Sequence, residues 1–376
     1  LTYVVIVTEA LLYVCLGIVS GVMFLYIMPK VKTPSIVIRQ SSLVLCTAGI
    51  LIFSFAPVLN TLITFTADLG FWTAFKSVML TFTVGQAWLF TAIIALLLMG
   101  LIHFNDLASD RFLATIGFIL VILLIASYAK AGHAASLAPI KGFWFHYLHL
   151  LAVMLWGGTA VVAAFRSQST QRWLPFLHWY TPFAVGAFIL LLLAGLGTMF
   201  IDIADPLDGS IKQGLIQYKQ GLASNYGQAL LIKNILVIPL VIFAAFNSLF
   251  VKHQLRHGKS IDPLKWLRAE AVIIVVIFAV TAFMGQQKPP HEMASLIELN
   301  GPSPLFSALF PNPIAPGMTL TFDWTTVSVL FLILGLILIS LTAITLLKKA
   351  SKNMALLLSF AAAISWYFTV MTSIHS

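Results

Sequence analysis

Apolar residues in this chain come in long blocks, and short polar, basic or proline-rich segments separate them. A block of about 20 apolar residues wound as an α-helix rises about 30 Å, the thickness of a bilayer's hydrocarbon core. Blocks of that kind cover 3–28, 42–66, 79–103, 112–129, 145–165, 182–201, 227–250, 269–285, 325–347 and 353–371. The pattern predicts an all-α polytopic transmembrane helix bundle of about ten spans, with 1–376 as a single integral membrane domain. Composition agrees, because 60% hydrophobic residues, 9% charged residues and a mean hydropathy of +1.00 exclude an ordinary soluble domain.

The basic residues orient the spans, since cytoplasmic loops are enriched in Lys and Arg. Of the 21, 14 fall on one side: Lys30, Lys32, Arg39, Arg111, Arg166, Arg172, Lys252, Arg256, Lys259, Lys265, Arg268, Lys348, Lys349 and Lys352. With that side inward, both termini are extracytoplasmic. The net charge of +9 then reflects orientation in a lipid bilayer and gives no argument for nucleic acid. An external start at Leu1 is what a preceding signal peptide or extracytoplasmic domain would produce. Cys15 and Cys46 both fall within spans; with no CxxC motif, they read as small buried residues.

Two connecting segments on the outer side are long. Segment 202–226 contains the amphipathic stretch GLIQYKQGLASNYG, which reads as a surface helix. Segment 286–323 is rich in proline and reads as an irregular cap. The block 145–166, FHYLHLLAVMLWGGTAVVAAFR, is the least ordinary of the spans. It carries His146 and His149 one turn apart, and ionisable groups inside a membrane are costly enough to suggest a function. At 100° per residue, His146, His149, Val153, Trp156 and Gly157 share one stripe, with Met154 off to its side. Gly157 and Gly158 below them allow a neighbouring helix to approach closely.

Other soft or polar groups fall near the same outer ends: Glu9, Met79, His133, Met199, Met284, His291 and Met293. Imidazole and thioether suit copper, and thioether favours Cu(I), whereas calcium or magnesium would want several carboxylates. Bland alternatives stand beside each of these. The two His can be interfacial polar residues, Glu9 a structural contact, Lys233 a snorkelling chain and Asn247 an interhelical bond. Glu270 beside Arg268 reads as an interfacial ion pair. An inner set of Met28, Met99, His103, His178, His253 and His257 would suit an exit site, but the positive-inside rule already accounts for the basic loop around His253 and His257. The HGKS at 257–260 is no phosphate loop, because His253 stands where its first glycine belongs. No inner loop is large enough for a nucleotide-binding domain, so transport would be passive, ion-coupled or driven by metal trapping.

Three stretches carry a resemblance. HLLAVMLWGG (His149, Trp156, Gly157, Gly158), YGQALLIKNILVIPLVIFAAFN (Gly227, Lys233, Asn247) and LRAEAVIIVVIFAVTAFMGQQKPP (Glu270) together resemble the CopD-type family of copper resistance and import proteins, including the YcnJ-like fusion type. The resemblance covers about 145–290; Gly17 and Gly21 match loosely, and the last two spans lie outside it. It implies an eight-span core over 1–290, a loop at 286–323 and two added spans over 324–376. It further implies a non-enzymatic protein that moves copper ion across the bacterial cytoplasmic membrane, most naturally inward, with a periplasmic CopC-like domain or protein as donor. Glu9 stands where a second intramembrane His would have made a symmetric site. The expected metal residues are His146, His149, Met154, Glu9, Met199, Met284, His133, His291 and Met293, for Cu(I) or Cu(II). Two other readings remain open: an electron-transfer protein with His-ligated b-type haem, and a copper sensor or scaffold that does not translocate.

Overall fold

The computed structural model describes residues 2–203, 211–289, 297–299, 301–310 and 319–375. Among them, ten helices are long and apolar enough to cross a membrane, as the block pattern predicts. His291 and Met293 lie outside the described residues. The chain divides into two compact units, Leu1–Thr198 with Gly258–Ala271 and Met199–His257 with Val272–Ser376.

In the first unit, α1 (Thr2–Ile27) is the shared wall. It packs against α2 (Gln40–Phe53), α3 (Ala56–Leu69), α6 (Arg111–Lys130) and α8 (Lys141–Arg166). Gly17 and Gly21 on α1 meet Gly158 on α8 so closely that a methyl group at Gly158 would overlap the Gly17 carbonyl, and one at Gly21 the Gly158 carbonyl. This is the small-residue route to close helix approach in lipid, where dispersion replaces the hydrophobic effect as the driving force. Ser20 and Thr159 bury their hydroxyls without a hydrogen-bond partner among the described residues.

The block read as 42–66 is two helices, because the chain breaks at Ser54–Phe55 just before Pro57, in the first turn of α3. A proline there has no N–H to offer and starts a helix better than it continues one. A left-handed Gly70 (φ 72°) then turns the chain into the short α4 (Phe71–Leu80). Met79 packs there with Val58 and Val78, and α5 (Thr83–Phe104) and α6 follow. The sixth span also differs from expectation. It begins at Trp173, not 182, and Pro182 lies inside α9 (Trp173–Ile203). The start of the basic side is tied down by main-chain acceptors: Trp179 donates to the Lys32 carbonyl at 2.7 Å, and Arg172 donates to that of Lys30.

The second unit contains α10 (Ile211–Gly221), a helix over the first part of the amphipathic stretch, and α11 (Asn225–Ala245). A π-helical segment, Phe246–Val251, carries buried Asn247 and leads into α12 (Lys252–Arg256). Helix α13 (Pro263–Gly285) runs through both units. After α14 (Pro304–Leu309) and β1 (Thr321–Phe322), α15 (Thr326–Leu347) and α16 (Lys352–Met371) form a helical hairpin. β2 (Ile374–His375) closes antiparallel on β1, and α16 packs on α11. Buried Gln228 fixes that packing: its amide donates to the Leu222 carbonyl at 2.6 Å, and its oxygen accepts from the Tyr367 hydroxyl.

Candidate metal-binding site

Helix α8 starts with His146 and His149 half-buried, and each is held by a different neighbour. His146 Nδ1 lies 3.2 Å from the Ala129 carbonyl, in the last turn of α6. The same carbonyl accepts from the Gly132 N–H at 3.2 Å, so His146 adds to the backbone cap of α6. His149 Nδ1 lies 3.1 Å from the Leu191 carbonyl of α9. A carbonyl can only accept, so in each neutral ring Nδ1 carries the hydrogen and the lone pair is on Nε2. Orienting an imidazole through a backbone carbonyl at one nitrogen is how proteins present the other to a metal.

Glycines make both arrangements possible. A methyl at Gly132 would overlap the His146 ring, and one at Gly195 would stand 3.0 Å from His149 Nδ1. The hydroxyl of Tyr180 fixes the next part of the α8–α9 pair by donating to the Trp156 carbonyl at 2.8 Å.

Glu9 of α1 is buried, with 6% of its surface exposed. Its Oε1 accepts from Tyr13 Oη at 2.9 Å and from Tyr128 Oη, and the two hydroxyls are 3.0 Å apart. Tyr128 is the residue before Ala129, the His146 acceptor, so consecutive positions of α6 hold Glu9 and His146 at one level. The phenols were not foreseen from sequence. The available signal was Tyr13, one turn after an intramembrane carboxylate. Met154 is buried. His133 is exposed at the start of α7 (His133–Leu137), directly after the end of α6.

Met199 and Met284 belong to the second unit, where both pack with Tyr218 against Tyr226 and Leu230. Burial raises the Tyr218 phenol's pKa above its ordinary value, and a hydrogen bond with Asn234 opposes the shift. Within the inner set, the rings of His253 and His257 are 4.2 Å apart, and His257 Nδ1 lies 2.9 Å from the His253 carbonyl. Near α13's start, Glu270 is buried, and Arg268 donates from Nε to the Ala164 carbonyl at 3.0 Å. Among the described residues, no three His, Cys, Asp or Glu side chains form a metal-holding group.

Comparison with known proteins gives two matches. Residues 174–284 match the family model of copper resistance protein D. Copper transport protein CutJ of Bacillus subtilis (strain 168) is 28% identical over 178 residues, which is 45% of this chain and 30% of that relative. The aligned part is thus under a third of CutJ's length. No solved structure matches the chain. Met199 and Met284 fall inside the family segment, while Glu9, His133, His146, His149 and Met154 precede it. The matched segment, α9 through most of α13, is thus similar to copper resistance protein D, and it lies in a chain with ten helices able to cross a membrane among its described residues.

Proposed function

We propose that this protein carries copper inward across a bacterial cytoplasmic membrane. The observation that carries the reading is the matched tethering of His146 and His149, each donating Nδ1–H to a backbone carbonyl and so keeping its lone pair on Nε2. Copper arrives on the extracytoplasmic side from a CopC-like donor, binds this pair beside Glu9 and His133, and passes inward by way of Met154. Met199, Met284, His291 and Met293 are further soft ligands for the transfer. Low coordination suits a carrier, because a site with few ligands can release its ion as readily as it takes it. Both termini lie outside, and the basic loops face the cytoplasm.

Copper uptake into proteoliposomes tests the proposal. His146→Ala/His149→Ala is expected to reduce the initial rate at least tenfold. An unchanged rate removes the pair from the pathway. Copper bound without any uptake, even by the unaltered chain, makes the protein a sensor or scaffold instead.

A further inference from the structure

Cys15 and Cys46, which the sequence suggests are small buried residues, lie on α1 and α2, two helices that pack together. Both thiols are free and half-buried. A methyl at Gly49 would lie 2.9 Å from Cys15 Sγ, so the sulfur rests against the face of α2 that holds position 49. Position 46 is one turn earlier on that face. The two thiols are therefore near enough to influence each other. The chain contains only two cysteines, and this helix contact brings them to one place.

Their depth adds to the case. Cys15 is at the middle of the 26-residue α1, six residues beyond Glu9. At 1.5 Å per residue this places the thiol level about 9 Å further along the span. The helix that bears Glu9 therefore also bears a soft ligand deeper in the membrane, and the His-bearing α8 packs against that same helix.

We infer that Cys15 and Cys46 form an intramembrane two-sulfur site for Cu(I), a second station on the copper route; the inference rests on the proposed transport reading. Soft thiolates select Cu(I), which accepts two ligands in a linear arrangement. Binding balances as one Cu(I) and two thiols giving a bis-thiolate complex of charge −1 and two protons. Arg166, at the end of α8, is close enough to Cys46 to act on it electrostatically, and it opposes that charge. No change of copper oxidation state is required.

The test uses the 376-residue chain in nanodiscs, reduced and anaerobic, titrated with Cu(I) against bathocuproine disulfonate. Cys15→Ser/Cys46→Ser is expected to bind one equivalent fewer than the unaltered chain, and each single Ser variant likewise. His146→Ala/His149→Ala keeps that equivalent. A second measurement needs no variant: Cu(I) should slow maleimide labelling of the two thiols at least tenfold. Equal stoichiometry in the unaltered chain and the double Ser variant, or labelling indifferent to Cu(I), overturns the inference. The two readings fail separately. Uptake without a cysteine-dependent equivalent sinks only the dithiol site, and a cysteine-dependent equivalent without uptake sinks transport and leaves a Cu(I) dithiol site that is no station on a route.

Discussion

Helices α8 and α15 are both apolar enough to span a bilayer, yet α8 has 61% of an 18-residue apolar stretch buried inside the protein and α15 only 17%. The more apolar helix is the less buried one: α15 has the highest mean hydropathy of the ten. In water that order would be reversed. In lipid, tails accept Leu and Ile as well as a protein core does, so the strongest apolar runs can face outward. Gly157, Gly158 and Thr159 mark α8 as a packing helix, whereas α15 presents Leu330, Ile333, Ile337 and Leu341 on its exposed surface.

The largest effect that would break this contrast comes from the α1–α8 crossing. Gly158→Val puts side-chain carbons where the Gly17 carbonyl stands, and backbone on both sides leaves nothing to move but the helices themselves. A cost of about 3 kcal/mol or more, read as lost thermal stability in detergent, is expected. Gly335→Ala on α15 meets the ring of Trp366, which can swing aside. Its cost should be about 1 kcal/mol. Equal costs would mean that backbone approach does not set α8 apart.

Next in size is Glu9→Leu. It removes the acceptor of two phenols on α1 and α6 and should cost about 2 kcal/mol. Glu9→Gln retains an acceptor oxygen and should lose less than half as much. If the two variants melt together, the buried carboxylate does not hold α1 to α6.

Much of this architecture was legible in the sequence because span length depends on composition over windows of about 20 residues. The number of spans follows from that scale. The break before Pro57 was missed because both halves of the block are equally apolar, and hydropathy does not respond to a missing N–H. The start of α9 was read too late, at 182, because its first turns carry aromatic and polar residues around an internal proline. At the site, His146 and His149 stood out as isolated polar groups, but the carbonyls of Ala129 and Leu191 that orient them are backbone atoms of distant spans. No side chain announces them. The nearness of Cys15 and Cys46 was equally hidden, because the two thiols are 31 positions apart and helix rotation alone does not specify which faces of α1 and α2 meet.

Gln228→Leu extends the comparison to the second unit and should cost about 1.5 kcal/mol, since it leaves the Tyr367 hydroxyl and the Leu222 carbonyl without a buried partner. Tyr367→Phe removes the other end of the first bond, and a double-mutant cycle isolates their coupling. A coupling near zero would mean that α11 and α16 are held by apolar packing alone, as the surrounding Leu236, Ala363 and Met371 would permit.

The smallest effect sharpens the contrast most. Ile337, midway along α15, is 50% exposed, and Val162 on α8 is 1% exposed. Ile337→Ala deletes more carbon than Val162→Ala, so a scale that counts only methylenes ranks it as the costlier change. Lipid contact predicts the reverse. Acyl chains fill the space left at Ile337 and keep its cost within about 0.5 kcal/mol, as at a solvent-facing position of a soluble protein. At Val162, rigid neighbours leave part of the volume empty, and about 1–2 kcal/mol is expected from the cavity and lost dispersion. Melting both variants in nanodiscs would decide it. If Ile337→Ala proves the more damaging, its side chain is packed against protein, and α15 has a partner on its apolar face.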